Sequence, residues 1–513
     1  MEQFFQSPVE ILFRALALVA FIWALDRTRK VALRPLHVMQ LEGYDNEEYG
    51  AWMKAHPESR FGEGVSSIQN KSPLVMTERA TRLFQKHMIV NILLLFLGLL
   101  FSWAMKSSIV GLGVALVFSG VLCNLQFHLM KFSNTLAKPK EERINRGFYV
   151  AAQEKVRDLK ARGLTVVGIT GSFGKTSTKF IANDILSESF QVQNTPSSYN
   201  TPMGLSKVIN NDLDETKEIF LAELGAKVPG EIAEVAELVQ PTIGVLTAIG
   251  PTHMHLFKTI DRIKETKYEL IEALPDDGTA IFNLDNPHVR ELAEKTTRLS
   301  WIGYGFSEDA TVRATDLEVG SRGSRFTLAI DGKAPVSCET VLLGKHNIQN
   351  LLAGAAIGHV LGMDPEAIAR GIKKVAPVEH RLQLIEGPTG VLVIDDAFNS
   401  NPVGARAALE VLGAFSEAKK IVITPGMVEL GDQEEEENYA FGKELAKVAD
   451  AVILVGPKRT EPIKRGLVDA AYPETQTFVA KSLDEATKIS ASLTGPGDVV
   501  LIENDLPDTY NEI

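Results

Sequence analysis

The run LTVVGITGSFGKTSTK (residues 164–179) decides how the chain folds. Its first part, LTVVGIT (164–170), is apolar and β-branched, the pattern of a strand buried on both faces. GSFGKTSTK (171–179) is a glycine-rich turn, and FIANDILSES (180–189) has helical spacing. Strand, glycine turn and helix in that order suit a triphosphate. Glycines free backbone N–H groups to wrap phosphate oxygens, and the helix N-terminus adds partial positive charge. Gly171, Ser172, Gly174, Lys175, Thr176 and Ser177 are therefore the expected nucleotide cradle. Lys175 is placed to reach the β- and γ-phosphates and the Thr176 hydroxyl to ligate Mg²⁺. The loop departs from the general pattern at its first glycine position, which is Ile169.

Downstream, apolar strand runs alternate with helical patterns, which predicts an α/β fold with a mostly parallel sheet. IFLAEL (219–224) is a second buried strand that presents Glu223 at its end, where ligands meet open α/β sheets. His253 follows a third apolar strand, Lys267 lies on the next helical stretch, and GTAIFNLDNP (278–287) ends a strand at Asn283 and Asp285. Around 313–343 the chain is strand-rich, with RFTLAI a clear strand. Further apolar strands at 391–394, 420–424, 451–455 and 499–502 predict a smaller Rossmann-like domain.

Upstream the texture is different. MIVNILLLFLGLLFSWAM (88–105) carries no charge over eighteen residues, and residues 107–130 carry none over twenty-four. Each is long enough to cross a hydrocarbon core of about 30 Å. Residues 4–25 form a weaker span because they include Glu10 and Arg14. Gly111, Gly113, Ala115, Ser119 and Gly120 would permit close helix packing. Basic clusters at Arg27, Arg29, Lys30 and Arg34, at Arg79, Arg82 and Lys86, and at Lys131, Lys138, Lys140, Arg143 and Arg146 flank the three spans on one side. Excess Lys and Arg marks the cytoplasmic side. The expectation is a multi-pass cell-membrane protein, with catalytic domains and the loop 26–87 in the cytoplasm. Within that loop, residues 40–56 suggest a short amphipathic helix.

Among the 513 residues, 45% are hydrophobic and 23% charged, so the rest should be ordinary globular protein. A net charge of −12 excludes a general nucleic-acid binder. Two cysteines exclude a disulfide scaffold and a cysteine-rich zinc site.

The ordered series GSFGKTS, ELGAKVPGEI, IGPTH, ETKYE, GKHNIQN, HRLQ and DDAFNSNP resembles the Mur ligase superfamily over residues 147–513. Within it, the series is most similar to the branch that adds D-alanyl-D-alanine to the muramoyl tripeptide. The resemblance implies an ATP- and Mg²⁺-dependent ligase in which a substrate carboxylate takes the γ-phosphate and an amine displaces phosphate. It implies that Lys175 neutralises the transferring phosphate and that Thr176 and Glu223 hold one Mg²⁺. It further implies that His253 helps to hold a second Mg²⁺ beside a carbamylated Lys267. Asn283 would face adenine, Asp396 the ribose and Arg381 the γ-phosphate, with His346, Asn347 and Asn350 beside the nucleotide.

The expected partners are an amino acid or dipeptide amine donor and a peptidyl carboxylate acceptor, soluble or lipid-linked, together with membrane lipid. Two alternatives stay open: a ligase making another peptide, such as a polyglutamate-type chain, and a non-ligating membrane ATPase or scaffold. The expected regions are 1–146 (membrane), 147–376 (ATP-binding) and 377–513 (C-terminal). Three departures from the family stand out: spans replace the usual domain that holds the UDP-sugar, Asn438 stands where histidine is usual, and the chain ends in ENDLPDTYNEI.

Overall fold

The structure, a computed structural model, describes residues 8–57, 73–105, 107–252, 254–398 and 400–506. The chain divides into two compact units, one ending at Arg146 and the other beginning at Gly147.

The first unit is helical: α1 (Pro8–Val31), α2 (Leu33–Leu41), α3 (Asn46–Ala55), α4 (Glu78–Trp103), α5 (Ser108–Asn124) and α6 (Gln126–Ala161). Side chains at two N-caps fix helix starts, since an oxygen there satisfies a free N–H of the first turn. Asp45 accepts from the Glu47 and Glu48 amides to start α3, and Thr77 accepts from Ala80 to start α4. The short helix expected within residues 40–56 is α3. Leu36, Met39, Tyr49, Met53, Leu83, Phe127 and Met130 form a conventional core among α2, α3, the start of α4 and α6.

Among the described residues, α4 alone is a single helix that is long and apolar enough to cross a bilayer; residues 4–7 of the first expected span lie outside them. The third expected span, residues 107–130, is broken: α5 has 17 residues and bends by 71° into α6. At 1.5 Å per residue α5 reaches only about 26 Å. The break has a cause that hydropathy does not register. Buried Gln126 donates to Leu122 O (2.9 Å) and to Asn91 Oδ1 (2.8 Å), and its Oε1 lies 2.8 Å from His87 Nε2. Ser133 Oγ meets His87 Nδ1 at 3.2 Å, so the polar groups at the bend satisfy one another.

Small residues do set the spacing of these helices, though not all those expected. A Cβ on Gly111 would lie 2.5 Å from Ser102 O, and Ala115 and Ser119 are buried. Gly113 and Gly120 instead face open space, while Gly98 of α4 makes room for Phe118.

The second unit holds two sheets. β1 (Thr165–Thr170), β2 (Val192–Asn194), β3 (Ile219–Glu223), β4 (Ile243–Leu246), β5 (Thr279–Asn283), β6 (Ser300–Gly305), β7 (Val312–Gly320), β8 (Gly323–Ile330) and β9 (Val336–Thr340) form the first. Its order is β2-β3-β1-β4-β5-β6-β7-β8-β9. Pairing is parallel through β7 and antiparallel for β8 and β9. Helices α7 (Lys175–Leu186), α8 (Pro202–Asn211), α9 (Glu231–Val239), α10 (Met254–Phe257), α11 (Ile260–Glu272), α12 (Pro287–Lys295), α13 (Lys345–Val360) and α14 (Pro365–Lys374) accompany it. β1 is central, with Val166 buried in one core and Val167 and Ile169 in the other, which is why its sequence is apolar throughout.

The second sheet comprises β10 (Gln383–Glu386), β11 (Leu392–Asp396), β12 (Lys420–Thr424), β13 (Ala451–Val455), β14 (Thr477–Ala480) and β15 (Val499–Glu503), in the order β10-β11-β15-β12-β13-β14. All pairs are parallel except β10 with β11. Helices α15 (Pro402–Gly413), α16 (Glu434–Val448), α17 (Glu461–Asp469) and α18 (Leu483–Leu493) complete it. The two edge strands, β10 and β14, are four residues each, too short to stand out as a pattern, and sequence spacing suggests neither.

Candidate active site

β1 ends at Thr170, and the turn to α7 depends on two glycines. Gly171 has φ +151°, and a Cβ there would lie 2.2 Å from Thr247 Oγ1. Gly174 has φ +79°, and its Cβ would lie 2.9 Å from Asn350 Oδ1. Asn350, on α13, also accepts from Thr178 Oγ1 (3.1 Å) and donates to Asn347 Oδ1 (3.3 Å). α13 thus braces the turn from below. α7 begins at Lys175, five residues earlier than its apolar spacing suggests, because the left-handed Gly174 lets the helix start directly from the loop.

Lys175 Nζ donates to the carbonyls of Gly171 (2.8 Å) and Ser172 (3.2 Å). Burial holds its pKa below the usual lysine range, with Glu223 opposing and Arg381 reinforcing that shift. Glu223 ends β3 fully buried and gathers three donors: Thr176 Oγ1 (3.1 Å), Asn200 Nδ2 (3.0 Å) and Lys179 Nζ (3.2 Å).

The opposite wall comes from the second sheet. Arg381 lies between His380 and Leu382, both left-handed at φ 58° and 48°, and its guanidinium stacks on Phe398 at 4.0 Å. Non-glycine residues rarely adopt that conformation, so the surrounding contacts must hold it. His380 Nδ1 meets Asp395 Oδ2 at 2.8 Å, and the Leu382 amide donates to Asp396 Oδ1 at 3.2 Å. Burial pushes the Asp396 carboxyl up to about 6 against the pull of Arg381.

These groups line one cavity of about 440 Å³. Ser172, Gly174, Lys175, Thr176, Ser177, Glu223, Asn283, His346, Asn347, Asn350, Arg381 and Asp396 all face it. Gly171 shapes the turn without lining the cavity. Burial lowers His346 to about 4, so its imidazole is neutral at pH 7. Asn200, Gln349, Phe398 and Ser400 also line the cavity; Gln349 belongs to GKHNIQN and Phe398 and Ser400 to DDAFNSNP, whereas nothing in the local sequence sets Asn200 apart. Asp285 takes a different part from Asn283: it accepts from Gln349 Nε2 (2.8 Å) and anchors that wall. Asn438 is a structural bracket, accepting from the Met427 amide (2.9 Å) and donating to Met427 O (2.9 Å) and Glu434 O (2.8 Å).

Two expected site residues are not brought into this lining. His253 lies outside the described residues. Lys267 of α11 is buried at 3% exposure beside the cavity, with Nζ 3.4 Å from Ala226 O and 5.9 Å from the centre of the Phe257 ring. Burial, and next the charge on Lys175, lower its pKa to about 7, so a large share is neutral amine at physiological pH. Among the described residues no three His, Cys, Asp or Glu side chains gather as a metal cluster. The adjacent Thr176 and Glu223 oxygens nonetheless form a hard donor pair of the kind Mg²⁺ takes when phosphate oxygens supply the rest.

Comparison with known proteins agrees with this geometry. Residues 169–358 match the Mur ligase middle domain, and residues 380–503 match the domain described as Mur ligase, glutamate ligase domain. The UDP-N-acetylmuramoyl-tripeptide--D-alanyl-D-alanine ligase of Mycobacterium leprae (strain TN) is 30% identical over 379 residues, or 69% of this chain and 73% of that protein. Its namesake from Bacillus subtilis (strain 168) is 32% identical over 292 residues, covering 56% of this chain and 61% of the relative, less than two thirds of its length. MurF from Acinetobacter baumannii superposes with a TM-score of 0.63 at 26% identity, covering 71% of this chain and 78% of that one. The MurF ligase from Thermotoga maritima in complex with ADP gives 0.63 at 25% identity, covering 71% and 81%. The chain belongs to the Mur ligase family.

Proposed function

We propose that this chain is an ATP-dependent ligase that joins an amine to a peptidyl carboxylate through an acyl phosphate. D-alanyl-D-alanine and a muramoyl tripeptide are the first donor and acceptor to test. The observation that carries the reading is the single cavity in which the glycine turn, the Thr176–Glu223 pair and the Arg381–Asp396 pair converge from two sheets. Phosphoryl transfer needs positioning and charge neutralisation more than covalent help. Lys175 and the turn amides hold the phosphates, Arg381 meets the γ-phosphate from the opposite wall, and Asn283 and Asp396 orient the nucleoside. Thr176 and Glu223 would hold Mg²⁺, which supplies further charge neutralisation when bound, and the family resemblance would give His253 to a second metal. Lys267 is carbamylated: its buried amine, neutral in large share and with one long hydrogen bond among the described residues, suits reaction with CO₂, and the product would be a carboxylate-like oxygen ligand.

The first unit anchors the enzyme, with α1, α4 and α5 in the bilayer and the catalytic unit in the cytoplasm. The support is the row of large apolar side chains that these helices expose, among them Ile11, Val19, Leu93, Phe96, Phe101, Val110 and Val117. That face also favours an acceptor carried on a lipid over the soluble UDP-linked form. A cysteine at Ser107 should react with an impermeant thiol reagent outside intact cells, whereas Tyr44→Cys should not; labelling of Tyr44→Cys would refute this topology.

The deciding assay is ADP release by the full-length chain in detergent, with both donor and acceptor present. Release should require both and be matched by an amide product of the summed mass less water. ATP hydrolysis indifferent to either compound would leave an ATPase and end the ligase reading.

A further inference from the structure

One fully buried carboxyl has no part in the reading so far. Glu503 ends β15, paired in register with Asp396 at the end of β11, so the two carboxyls are neighbours where strands meet the cavity. Two hydroxyls donate to its oxygens: Ser400 Oγ to Oε1, and Thr424 Oγ1 to Oε2 at 3.1 Å. No lysine, arginine or histidine among the described residues pairs with it. Isolated burial of this kind is costly and is usually relieved by a cation. Ser400 lines the cavity directly, and Glu503 stands behind it. Their loop is pinned: the Ser400 amide donates to Asn504 Oδ1 (3.3 Å), and Asn504 Nδ2 donates to Gly426 O (2.6 Å).

We propose that Ser400 and Glu503 take the proton from the attacking amine, Ser400 Oγ receiving it at the cavity wall as Glu503 accepts the serine's own proton. The proposal rests on the ligase reading above. An amine donor arrives at neutral pH largely as an ammonium and cannot attack until it loses a proton. That proton passes to Ser400 Oγ while the serine proton moves to Glu503 Oε1. The freed lone pair forms the C–N bond, the C–O bond to phosphate breaks, and departing phosphate takes the second N–H proton. Glu503 returns its proton along the same path after product leaves.

The chemistry of Glu503 suits this task. Burial pushes it up to about 8, close to the range of an α-amino group, and a base matched to its acid transfers protons efficiently. The charged group facing it is Asp396 from β11, which itself faces Arg381; Thr424 from β12 and Ser400 from the loop are neutral.

The test separates the two half-reactions in the full-length chain, with ATP, UDP-N-acetylmuramoyl tripeptide as acceptor, and either D-alanyl-D-alanine or hydroxylamine as nucleophile. Hydroxylamine is already unprotonated at neutral pH, so it traps acyl phosphate without the relay. Glu503→Gln and Ser400→Ala should each slow amide formation about 100-fold while leaving hydroxamate formation unchanged. Ser400→Thr, which keeps a hydroxyl, should restore most of the amide rate. The fall in wild-type amide formation below the Glu503 range should be absent in Glu503→Gln. Should Glu503→Gln fail to fold, Ser400→Ala carries the same expectation. Equal loss of amide and hydroxamate, or no loss of either, would overturn the relay. A wild-type chain that forms neither product from this acceptor or from its lipid-linked counterpart would overturn the ligase reading and the relay with it.

Discussion

The two units use the same residue types in opposite senses. In the second unit the large apolar side chains turn inward: Phe220, Leu221, Phe282, Ile281 and Leu351 are fully buried on the two faces of the parallel sheet. In α1, α4 and α5 the large side chains turn outward, and Ala17, Ala24, Leu95, Leu99 and Ala115 fill the contacts between helices. Water as solvent rewards the first arrangement by removing apolar area from contact with it. The second suits an apolar solvent, where close backbone approach and polar contacts such as Ser102 Oγ to Gly111 O (2.6 Å) hold helices together. That inversion is the support for the proposed bilayer environment of α1, α4 and α5.

The largest effect tests whether catalysis belongs to the second unit alone. Lys175→Ala should reduce ADP formation by at least about 10³-fold, equivalent to ~4 kcal/mol, because phosphate charge is left uncompensated in a poorly hydrated cavity. Its membrane fraction should match wild type, and near-normal turnover would remove the turn from the site. Next comes a matched pair. Ile281→Ala should destabilise the second unit by about 3 kcal/mol in denaturant unfolding, through a lost side chain and a residual cavity. Leu93→Lys, at an outward position of α4, should cost about 3 kcal/mol of membrane insertion. A surface lysine on a water-facing helix would cost almost nothing, so normal insertion of Leu93→Lys would break the contrast.

A smaller effect separates the units by pH. Lys267 titrates near 7 in the fold against about 10.5 in the unfolded chain. Between those values the unfolded state binds the extra proton, so stability rises with pH. The contribution is complete above the unfolded value and is lost as pH falls through 7. In CO₂-free buffer, wild type should gain on Lys267→Met by on the order of 2 kcal/mol between pH 7 and 9. Melting curves that run parallel across that range would show the amine to be solvated. The smallest effect concerns the bend. Gln126→Leu leaves Asn91 and His87 short of a partner and should cost about 1 kcal/mol in detergent melting. An unchanged midpoint would mean that apolar packing alone fixes the break.

How much was legible depends on whether the signal is local. Thr165–Thr170, Ile219–Glu223 and the four inner strands of the second sheet announce themselves because buried parallel strands must be apolar along their whole length. Lys175 and Thr176 are legible because a phosphate loop is one short segment. Asn200 is not, since it reaches the cavity from a loop whose sequence carries no periodic mark, and the GKHNIQN and DDAFNSNP segments do not by themselves say that Gln349 and Ser400 are among the side chains that face the cavity. The bend at Gln126 escaped for a related reason: an uncharged glutamine barely alters an apolar run, yet it redirects the chain when two polar side chains, His87 and Asn91, are there to receive it.

The sequence by itself determined the strand order of chemistry along the chain, the family resemblance and the presence of an unusually apolar N-terminal region. Those depend on composition and spacing, which neighbours in sequence settle between themselves. Only the tertiary structure decided which groups share a cavity. It placed Glu223 among Thr176, Asn200 and Lys179, stacked Arg381 on Phe398, set Lys267 behind the wall and put Glu503 behind Ser400. The reason is physical: burial and the company of other charges set the chemistry of a carboxyl or an amine, and both come from residues remote in the chain.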